Sequence, residues 1–542
     1  MCKKSMTKEI FKKRLTWALF YVFILIFSLY NSFNYLDPDL GWHLKIGEEI
    51  LANKSVPHLE HNNYTLQGKS WVDHEWLSNI TIFLVHNYLG YLALNIIFAL
   101  LVVLIFYLLN NFTAKRLNID LQTTSLASVA LMILNILGVL VIAPHIGVRI
   151  QEIGVLFLLL QIIIIEKYET SKNKKTLFYL LPIIYFWSLL HGSFLIGVFI
   201  LGLWVLVKTI EKLICGWSVL SFLNFSNLAK CKDIATFAVF SLVATFTTLL
   251  NPYGLKLYLF LSDYTNNFYT KRITEWLPAY AYPIQYYQLL YLSIAAAALL
   301  IYFINYKFYQ KNTMKAISLW QFCLYLLFFM LAVKSRRHFP LFFVISLPTI
   351  LQILKSEFDQ TVIKNNLFSN LFTKIYIFSA FVLVVVSLLF KTNFTNQPFT
   401  NEKFCKVYPC TMLNFVKNNE QYKNKKVFNN YNWGGYMMWV WPEKQLFIDG
   451  RLPIYPYKDH TLLEEYYDFF SEKKAEDMIN EYNIELVLLK IFKTKKPKTW
   501  EKIIFGIKER PEQKDYLDEY LQNSSSWELV YQDSLSKVFS KK

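Results

Sequence analysis

The chain is poor in charge, in cysteine and in internal repetition. Charged residues make up only 18% of its 542 residues and hydrophobic residues 54%, which excludes an ordinary soluble domain. No small-residue cleavage site follows the first apolar run, so we expect an anchor rather than a removable signal peptide. The six cysteines are scattered, and only Cys405 and Cys410 lie close enough in sequence to predict a small disulfide, in an oxidising space. The lack of an internal repeat disfavours the symmetry common in transporters.

Long apolar runs recur along the chain instead. Runs of about 20 residues are typical of transmembrane helices. They predict about eleven spans, near 15–34, 90–110, 122–143, 150–166, 176–190, 193–209, 234–250, 285–305, 316–333, 339–354 and 374–390. Lys and Arg concentrate in the loops that lie inside if the N-terminus is cytoplasmic. The odd number of spans then places the C-terminal part outside. The net charge of +17 is explained by these loops, so we expect no nucleic-acid partner.

Two extramembrane parts are predicted. Residues 35–89 form a long first outer loop, in which Asp37-Pro38 indicates a helix start with Asp at the N-cap. A second surface helix is expected over 71–86. From residue 391 onward, alternating runs predict strands at 426–430, 445–449, 485–490 and 527–531 and helices at 411–420 and 460–482. The predicted fold class is mainly α, with a transmembrane domain over 1–390, including the loop 35–89, and a small outer-side α/β domain over 391–542.

Ionisable side chains collect on the predicted outer face. The candidates are Asp37, Asp39, His43, Asp73, His74, Glu75, Arg149, His191, Glu275, Arg336 and Arg337. Ionisable groups at a membrane are costly and usually functional. Arginine suits a bidentate grip on phosphate, and a carboxylate can take the proton of an attacking hydroxyl. This combination indicates a site that handles an anionic lipid and activates a hydroxyl.

Simpler roles remain open for most of these residues. Asp37 can cap its helix while Asp39 favours the same helix dipole. The arginines can extend to lipid headgroups, and His191 can pack between helices. A divalent metal held by Asp37, Asp39, His43 or His74 is conceivable, because Asp and His are ordinary ligands, but no tight ligand spacing supports it.

The order of several motifs resembles the membrane glycosyltransferases of the GT-C class, in particular a bacterial subgroup. The motifs are Asp37-Pro38-Asp39-Leu40-Gly41-Trp42-His43, Trp71-Val72-Asp73-His74-Glu75-Trp76-Leu77, Arg149-Ile150-Gln151, His191-Gly192, Asn251-Pro252-Tyr253-Gly254, Glu275-Trp276-Leu277, Arg336-Arg337-His338-Phe339-Pro340, Tyr431-Asn432-Trp433-Gly434-Gly435-Tyr436 and Phe447-Ile448-Asp449-Gly450-Arg451. Together they extend over most of the chain. The stretch from Trp433 to Tyr436 also loosely resembles a motif of oligosaccharyltransferase catalytic subunits, but it lacks the Asp of that motif.

The resemblance implies an inverting transfer of a sugar from a polyprenyl phosphate to a glycan, lipid or protein acceptor at the outer face of a bacterial inner membrane. It implies an Asp base, for which Asp37 is the first choice and Asp39 the second. Phosphate contacts are expected from Arg149, Arg336 and Arg337, and further substrate contacts from His43, His74, Glu75, His191, Trp433 and Tyr436. Two alternatives remain: a transporter or flippase of a lipid-linked sugar, and a structural membrane protein whose outer domain binds a partner. Neither alternative explains the clustered acids and arginines as well.

Overall fold

The computed structural model describes residues 2–121, 125–214, 223, 228–263, 267–308, 317–360, 382–472, 474–491, 496–506 and 515–542. Helices dominate these residues, as the sequence predicted. The chain divides into two compact units. Unit 1 comprises residues 1–33, 95–251 and 275–393, and unit 2 comprises residues 34–94, 252–274 and 394–542. The predicted tail therefore belongs to the same unit as most of the first predicted outer loop.

Apolar helices build unit 1. They are α1 (Cys2–Ser32), the later part of α3 (Trp76–Leu117), α4 (Leu126–Ile142), α5 (Gln151–Ser171), α6 (Leu180–Leu190), α7 (Phe194–Ile214), α8 (Cys231–Thr247), α11 (Tyr286–Phe308), α12 (Leu319–Lys334), α13 (Phe339–Gln360) and α14 (Val382–Lys391). Helix α13 packs against α4 and α12, and Phe343 of α13 lies 5.5 Å from Phe106 of α3, measured between ring centroids. These contacts place the interior of unit 1 around α13.

Among the described residues, six helical segments are long and apolar enough to cross a bilayer. They are Trp76–Leu117, Leu126–His145, Phe194–Ile214, Cys231–Leu250, Tyr286–Lys307 and Arg336–Lys355. Three shorter apolar helices are Trp17–Ser32, Leu319–Lys334 and Val382–Lys391. The membrane character is thus supported, whereas the eleven predicted spans are not confirmed. The expected span at 176–190, for example, begins with a 3-10 turn and continues as a helix of only 11 residues. The expected span at 374–390 lies partly outside the described residues.

Helix α3 contains one break, at Gly90. The backbone there has φ 82° and ψ 173°, a conformation that residues with a Cβ rarely adopt. The side-chain oxygen of Asn396 accepts the N–H of Leu92 at 2.9 Å, and so satisfies a backbone donor just beyond the break. The break separates a first helical segment, which begins at Trp76 and not at 71 as predicted, from the apolar run near 90–110. The location of the first segment at the membrane surface stays a prediction.

Unit 2 combines short helices with a sheet. Its helices are α2 (Leu40–Asn53), the first part of α3, α9 (Leu255–Ser262), α10 (Asn267–Arg272), α15 (Cys410–Lys417), α16 (Glu420–Lys423), α17 (Gly434–Val440), α18 (Leu462–Asp468), α19 (Ala475–Glu481), α20 (Thr499–Phe505) and α21 (Tyr516–Asn523). Its strands are β1 (Val427–Phe428), β2 (Pro456–Tyr457), β3 (His460–Thr461), β4 (Leu486–Lys490), β5 (Trp527–Gln532) and β6 (Ser536–Lys541). The predicted α/β character of the tail is confirmed.

The main sheet has four strands in the order β1-β4-β6-β5. Strand β1 pairs parallel with β4, whereas β6 pairs antiparallel with both β4 and β5. The buried side chains of β4 belong to the core of the unit. Cys405 and Cys410 form the predicted disulfide.

Three details of the tail differ from the sequence prediction. Residues 445–449 do not form a strand. Instead the side-chain amide of Asn429 accepts the N–H of Phe447 (2.9 Å) and donates to the carbonyl of Ile448 (2.9 Å), so these backbone groups are satisfied without a ladder. The single helix expected over 460–482 is two helices, α18 and α19, and β6 was not predicted.

Candidate functional site

The Asp-Pro-Asp segment forms a turn before α2. The helix begins at Leu40, so Asp39 and not Asp37 holds the N-cap position, and the predicted helix start is two residues too early. The Asp37 carboxylate accepts the N–H of Asp39 at 2.9 Å, and the Asp37 side chain is buried. Asp39 is only partly buried and makes no side-chain cap bond to the helix. The structure therefore gives the two carboxylates different surroundings: Asp37 organises the turn, and Asp39 is the more accessible.

Two glycines let distant segments approach this turn closely. A Cβ on Gly41 of α2 would overlap the carbonyl oxygen of Gly435 in α17. A Cβ on Gly450 would lie 2.6 Å from Oδ1 of Asp39. At Gly41 the close neighbour is backbone, so any larger residue would separate the two segments, whereas at Gly450 the close neighbour is the Asp39 carboxylate. Residues near 41, 435 and 450 are thus neighbours within unit 2.

A buried hydrogen-bonded chain runs through His43. The Nδ2–H of Asn79 donates to Asp73 at 2.8 Å, and the Oδ1 of Asn79 lies 2.6 Å from Nδ1 of His43. Because the amide oxygen can only accept, the proton of neutral His43 resides on Nδ1 and Nε2 is left as an acceptor. Burial lowers the pKa of His43 despite the opposing effect of Glu75, and burial raises the pKa of Asp73 to about 6. The chain fixes the ring in one tautomer.

His74 and Glu75 lie beside this chain. The Nε2 of His74 is 3.4 Å from Oε1 of Glu75, and Glu75 is buried. The His74 ring also contacts Phe260 of α9, with 5.4 Å between centroids. Both residues therefore have structural partners, and their role in substrate binding stays a prediction.

A second buried network joins the first outer loop to the Asp449-Gly450-Arg451 motif. The guanidinium of Arg451 donates to Asp449 at 2.8 and 3.0 Å and lies 3.0 Å from Glu60. It also stacks 4.4 Å above the ring of Trp71, while Asn63 donates to Asp449 at 2.7 Å. Two carboxylates face one arginine, so the pair of segments is held by a charge-assisted and fully buried contact.

An open groove lies beside this network in unit 2. Its volume is about 660 Å³, and its lining includes Thr65, Leu66, Lys69, Phe260, Tyr455 and Tyr457. The hydroxyl of Thr65 donates to the carbonyl of Phe447 at 2.7 Å, and the hydroxyl of Tyr455 donates to the carbonyl of Ser70 at 3.0 Å. Most of the groove lining therefore comes from the same two segments that Arg451 holds together, and Phe260 and Asp263 complete it. A mostly apolar, aromatic concavity with a few polar groups is typical of ligand sites.

The predicted phosphate-binding arginines lie in unit 1. Arg149 and Arg337 both approach Glu275: Arg149 donates to it, and Nη1 of Arg337 is 3.7 Å from its second oxygen. Burial alone would raise the pKa of Glu275, but the two arginines outweigh it and lower the pKa to about 2. The two guanidinium groups and the one carboxylate together carry a net positive charge. Arg337 also lies over the ring of Trp276, 5.2 Å from its centroid.

Arg336 and His191 each contact neighbouring groups of the protein itself. Arg336 donates to the carbonyls of Pro278 (3.2 Å), Ala281 (2.5 Å) and Pro283 (2.9 Å), and thereby fixes the loop that precedes α11. His191 ends α6, where its Nδ1 lies 2.6 Å from Oγ of Ser193. The geometry gives both residues a folding role, and their substrate contacts stay a prediction.

Trp433 and Tyr436 are core residues of unit 2. Their exposed fractions are 1% and 3%. The hydroxyl of Tyr436 donates to the carbonyl of Phe399 at 2.6 Å, and its ring stacks 5.0 Å from that of Tyr408. This burial gives the segment a role in the core of unit 2. A direct substrate contact by either side chain has no support from its geometry.

The metal candidates Asp37, Asp39 and His43 do not form a ligand cluster in the described part of the chain. The described residues that do converge are His460, Glu465 and Asp468, whose ligand atoms lie within 4.8 Å of one another. Glu465, however, already accepts hydrogen bonds from Lys458 (2.6 Å) and Tyr482 (2.5 Å). This group is accounted for as an ionic contact around the buried Glu465, with His460 and Asp468 partly exposed.

The structure brings together one part of the predicted site. The segments around Asp37–His43, Asp73–Trp76, Trp433–Tyr436 and Asp449–Arg451 belong to unit 2, whereas Arg149, His191, Arg336 and Arg337 belong to unit 1. Sequence reasoning missed Asn79, Glu60 and Asn63. No periodicity connects Asn79 to His43 or Glu60 to Arg451, because both contacts depend on packing between distant segments.

No protein-family model and no curated protein sequence matches the chain.

Proposed function

We propose that the chain is a membrane glycosyltransferase that moves a sugar from a polyprenyl-phosphate donor to an acceptor at the outer face of a bacterial inner membrane, with inversion. The observation that carries the proposal is the packing of four motifs within unit 2. The first two motifs lie hundreds of residues from the last two in sequence, yet Gly41 contacts Gly435, Gly450 contacts Asp39, and Arg451 stacks on Trp71. An acidic segment held so closely by distant segments is suited to positioning a reactive carboxylate.

The reactive carboxylate in this proposal is Asp39. A general base must reach the acceptor proton, and Asp39 is more accessible than Asp37. The buried Asp37 carboxylate holds the backbone N–H of Asp39 and so orients the residue that reacts. This assignment reverses the order of preference that the sequence alone gave. In the transfer, Asp39 takes the proton of an acceptor hydroxyl, the hydroxyl oxygen bonds to the anomeric carbon, and the bond to the lipid phosphate breaks.

The departing phosphate needs positive charge. Arg149 and Arg337 are our candidates, because together they carry more charge than Glu275 neutralises. Arg336 is a weaker candidate, since backbone carbonyls already occupy its guanidinium. For the acceptor we propose the aromatic groove of unit 2, whose volume of about 660 Å³ accommodates a small saccharide or peptide. No metal is assigned to the mechanism.

Two competing functions fit less well. A lipid-linked sugar transporter or flippase would be favoured by charged or broken helices at mid-membrane, whereas the buried charged residues of the described candidate spans, Lys208, Glu211 and Arg336, lie toward the ends of their spans. A purely structural protein explains Asp39 only as the N-cap residue of α2 and gives its accessible carboxylate no further task.

A set of Asn variants tests the proposal. The purified chain in lipid nanodiscs is given polyprenyl-phosphate hexoses and pentoses, and release of polyprenyl phosphate is measured. Asp39→Asn is expected to lower the rate by about 10² to 10⁴, the usual contribution of a general base, and Asp37→Asn by less. Asp477→Asn, at an exposed position of α19, is the matched control. Full activity of the Asp37→Asn/Asp39→Asn double variant would end the mechanism.

A further inference from the structure

Helix α20 presents its apolar side chains to the surface. Trp500, Ile503 and Ile504 are 42%, 77% and 68% exposed. Their spacing of i, i+3 and i+4 places them on one face of the helix. Glu501, by contrast, is buried and accepts the N–H of Lys498 at 2.5 Å. The usual orientation of an amphipathic helix is thus reversed, with the acid inward and the large apolar residues outward.

Positive charge precedes this apolar face. Lys496 and Lys498 are exposed, and by sequence four of the eight residues from 491 to 498 are lysines. Because Glu501 is turned inward, the exposed charged side chains within 496–501 are the two lysines. Lysines beside exposed Trp and Ile are the composition of a segment that binds an anionic lipid surface, and a Trp ring suits the boundary between headgroups and acyl chains.

The rest of the chain favours a lipid bilayer as the occupant. Unit 2 is covalently continuous with helices long and apolar enough to cross a membrane. A membrane is therefore always present at high local concentration, whereas a protein partner would have to be recruited. A protein partner would also need groups that complement the lysines.

We propose that α20 is a membrane-surface helix, which inserts Trp500, Ile503 and Ile504 into the headgroup boundary of an anionic leaflet while Lys496 and Lys498 contact the lipid phosphates. This interaction is a second attachment of unit 2 to the bilayer, in addition to its chain connections. It is independent of the glycosyltransferase proposal, because none of its residues belongs to the acidic segment, the arginine pair or the groove.

The test uses a fluorescent probe at Ile503. The full-length chain carries Ile503→Cys, with Ser at positions 2, 215, 231 and 323 and with the Cys405–Cys410 disulfide retained. The cysteine is labelled with an environment-sensitive dye. Nanodiscs contain phosphatidylcholine alone or phosphatidylcholine with about 30% phosphatidylglycerol. Glu528→Cys, at an exposed position of β5 in the same unit, is the matched control, and Ile504→Cys repeats the measurement at a second position.

In the anionic nanodiscs we expect iodide to quench the dye at 503 about five-fold less than the dye at 528. We also expect doxyl-labelled lipid to quench the dye at 503. Lys496→Glu with Lys498→Glu should remove most of this protection, and so should the neutral nanodiscs. Equal iodide access at 503 and 528 would overturn the proposal. Protection from iodide without quenching by doxyl lipid would also overturn it, because a protein surface or a second copy would then cover α20.

Discussion

Replacement of Arg451 by Met is the sharpest test of how unit 2 is held together. Arg451 is buried between Asp449 and Glu60 and lies over Trp71. Met keeps much of the volume but leaves two buried carboxylates without their cation, and breaking a buried ion pair in this way costs about 3–5 kcal/mol. In a domain of this size about 1 kcal/mol corresponds to about 2–4 °C in Tm. The expected loss is therefore roughly 6–20 °C, measured by thermal unfolding of the full chain in nanodiscs.

Arg272→Met is the matched control for this experiment. Arg272 also stacks on two rings, Phe268 and Tyr467, but it is exposed, so we expect a loss of about 0.5–1 kcal/mol. Arg451→Lys should fall between the two, because it keeps the charge and loses the planar fork. If Arg451→Met loses no more stability than Arg272→Met, the charged network does not hold the two segments together and the reasoning is refuted.

Three further predictions concern the same unit. Gly41→Ala should lower the free energy of unfolding by about 1–3 kcal/mol, because its Cβ would overlap the Gly435 carbonyl, whereas Gly202→Ala, which meets open space, should not be destabilising. Burial raises the pKa of folded Asp73 to about 6 from 3.8, so this group's contribution to stability is present below about pH 4 and is lost as pH rises to 6. Stability curves of wild type and Asp73→Asn should therefore diverge over this window by roughly 2–3 kcal/mol in favour of the variant, and parallel curves would contradict the assignment. Cys405 and Cys410 should react with maleimide only after reduction, and Ser at both positions should cost about 2 kcal/mol; labelling without reductant in intact cells would contradict an oxidising location.

Sequence patterns predicted the parts of the fold that depend on local chemistry. The apolar runs located long helices, and the alternation at 485–490 and 527–531 located β4 and β5. Two failures have different physical causes. Residues 445–449 have the composition of a strand, but the side-chain amide of Asn429 bonds to Phe447 and Ile448, and Leu446 forms only an isolated bridge to Asn63. The apolar run Leu180–Leu190 forms a helix of 11 residues, which is too short to be a span on its own. Tertiary contacts decide the first case, and the length of the helix decides the second.

The sequence predicted the motifs of the candidate site, but it did not predict which side chains are buried or which residues contact one another. Asp37 and Asp39 were identified from the sequence, yet only the turn shows which carboxylate is buried and which is accessible. The approach of Gly450 to Asp39 and the contact of Asn79 with His43 join residues far apart in the chain. Such contacts follow from the packing of whole elements, so no local pattern contains them.

The most direct test of the central claim is mass spectrometry of lipid-linked and cell-surface glycans in a deletion strain complemented with either the wild-type chain or the Asp37→Asn/Asp39→Asn variant. Our account predicts that the deletion removes a sugar from a surface glycan, lipid or protein while its polyprenyl-phosphate form accumulates. It predicts that only the wild-type chain reverses both changes, although both proteins reach the membrane. Unchanged glycan and lipid pools in the deletion strain, or full restoration by the double variant, would contradict it.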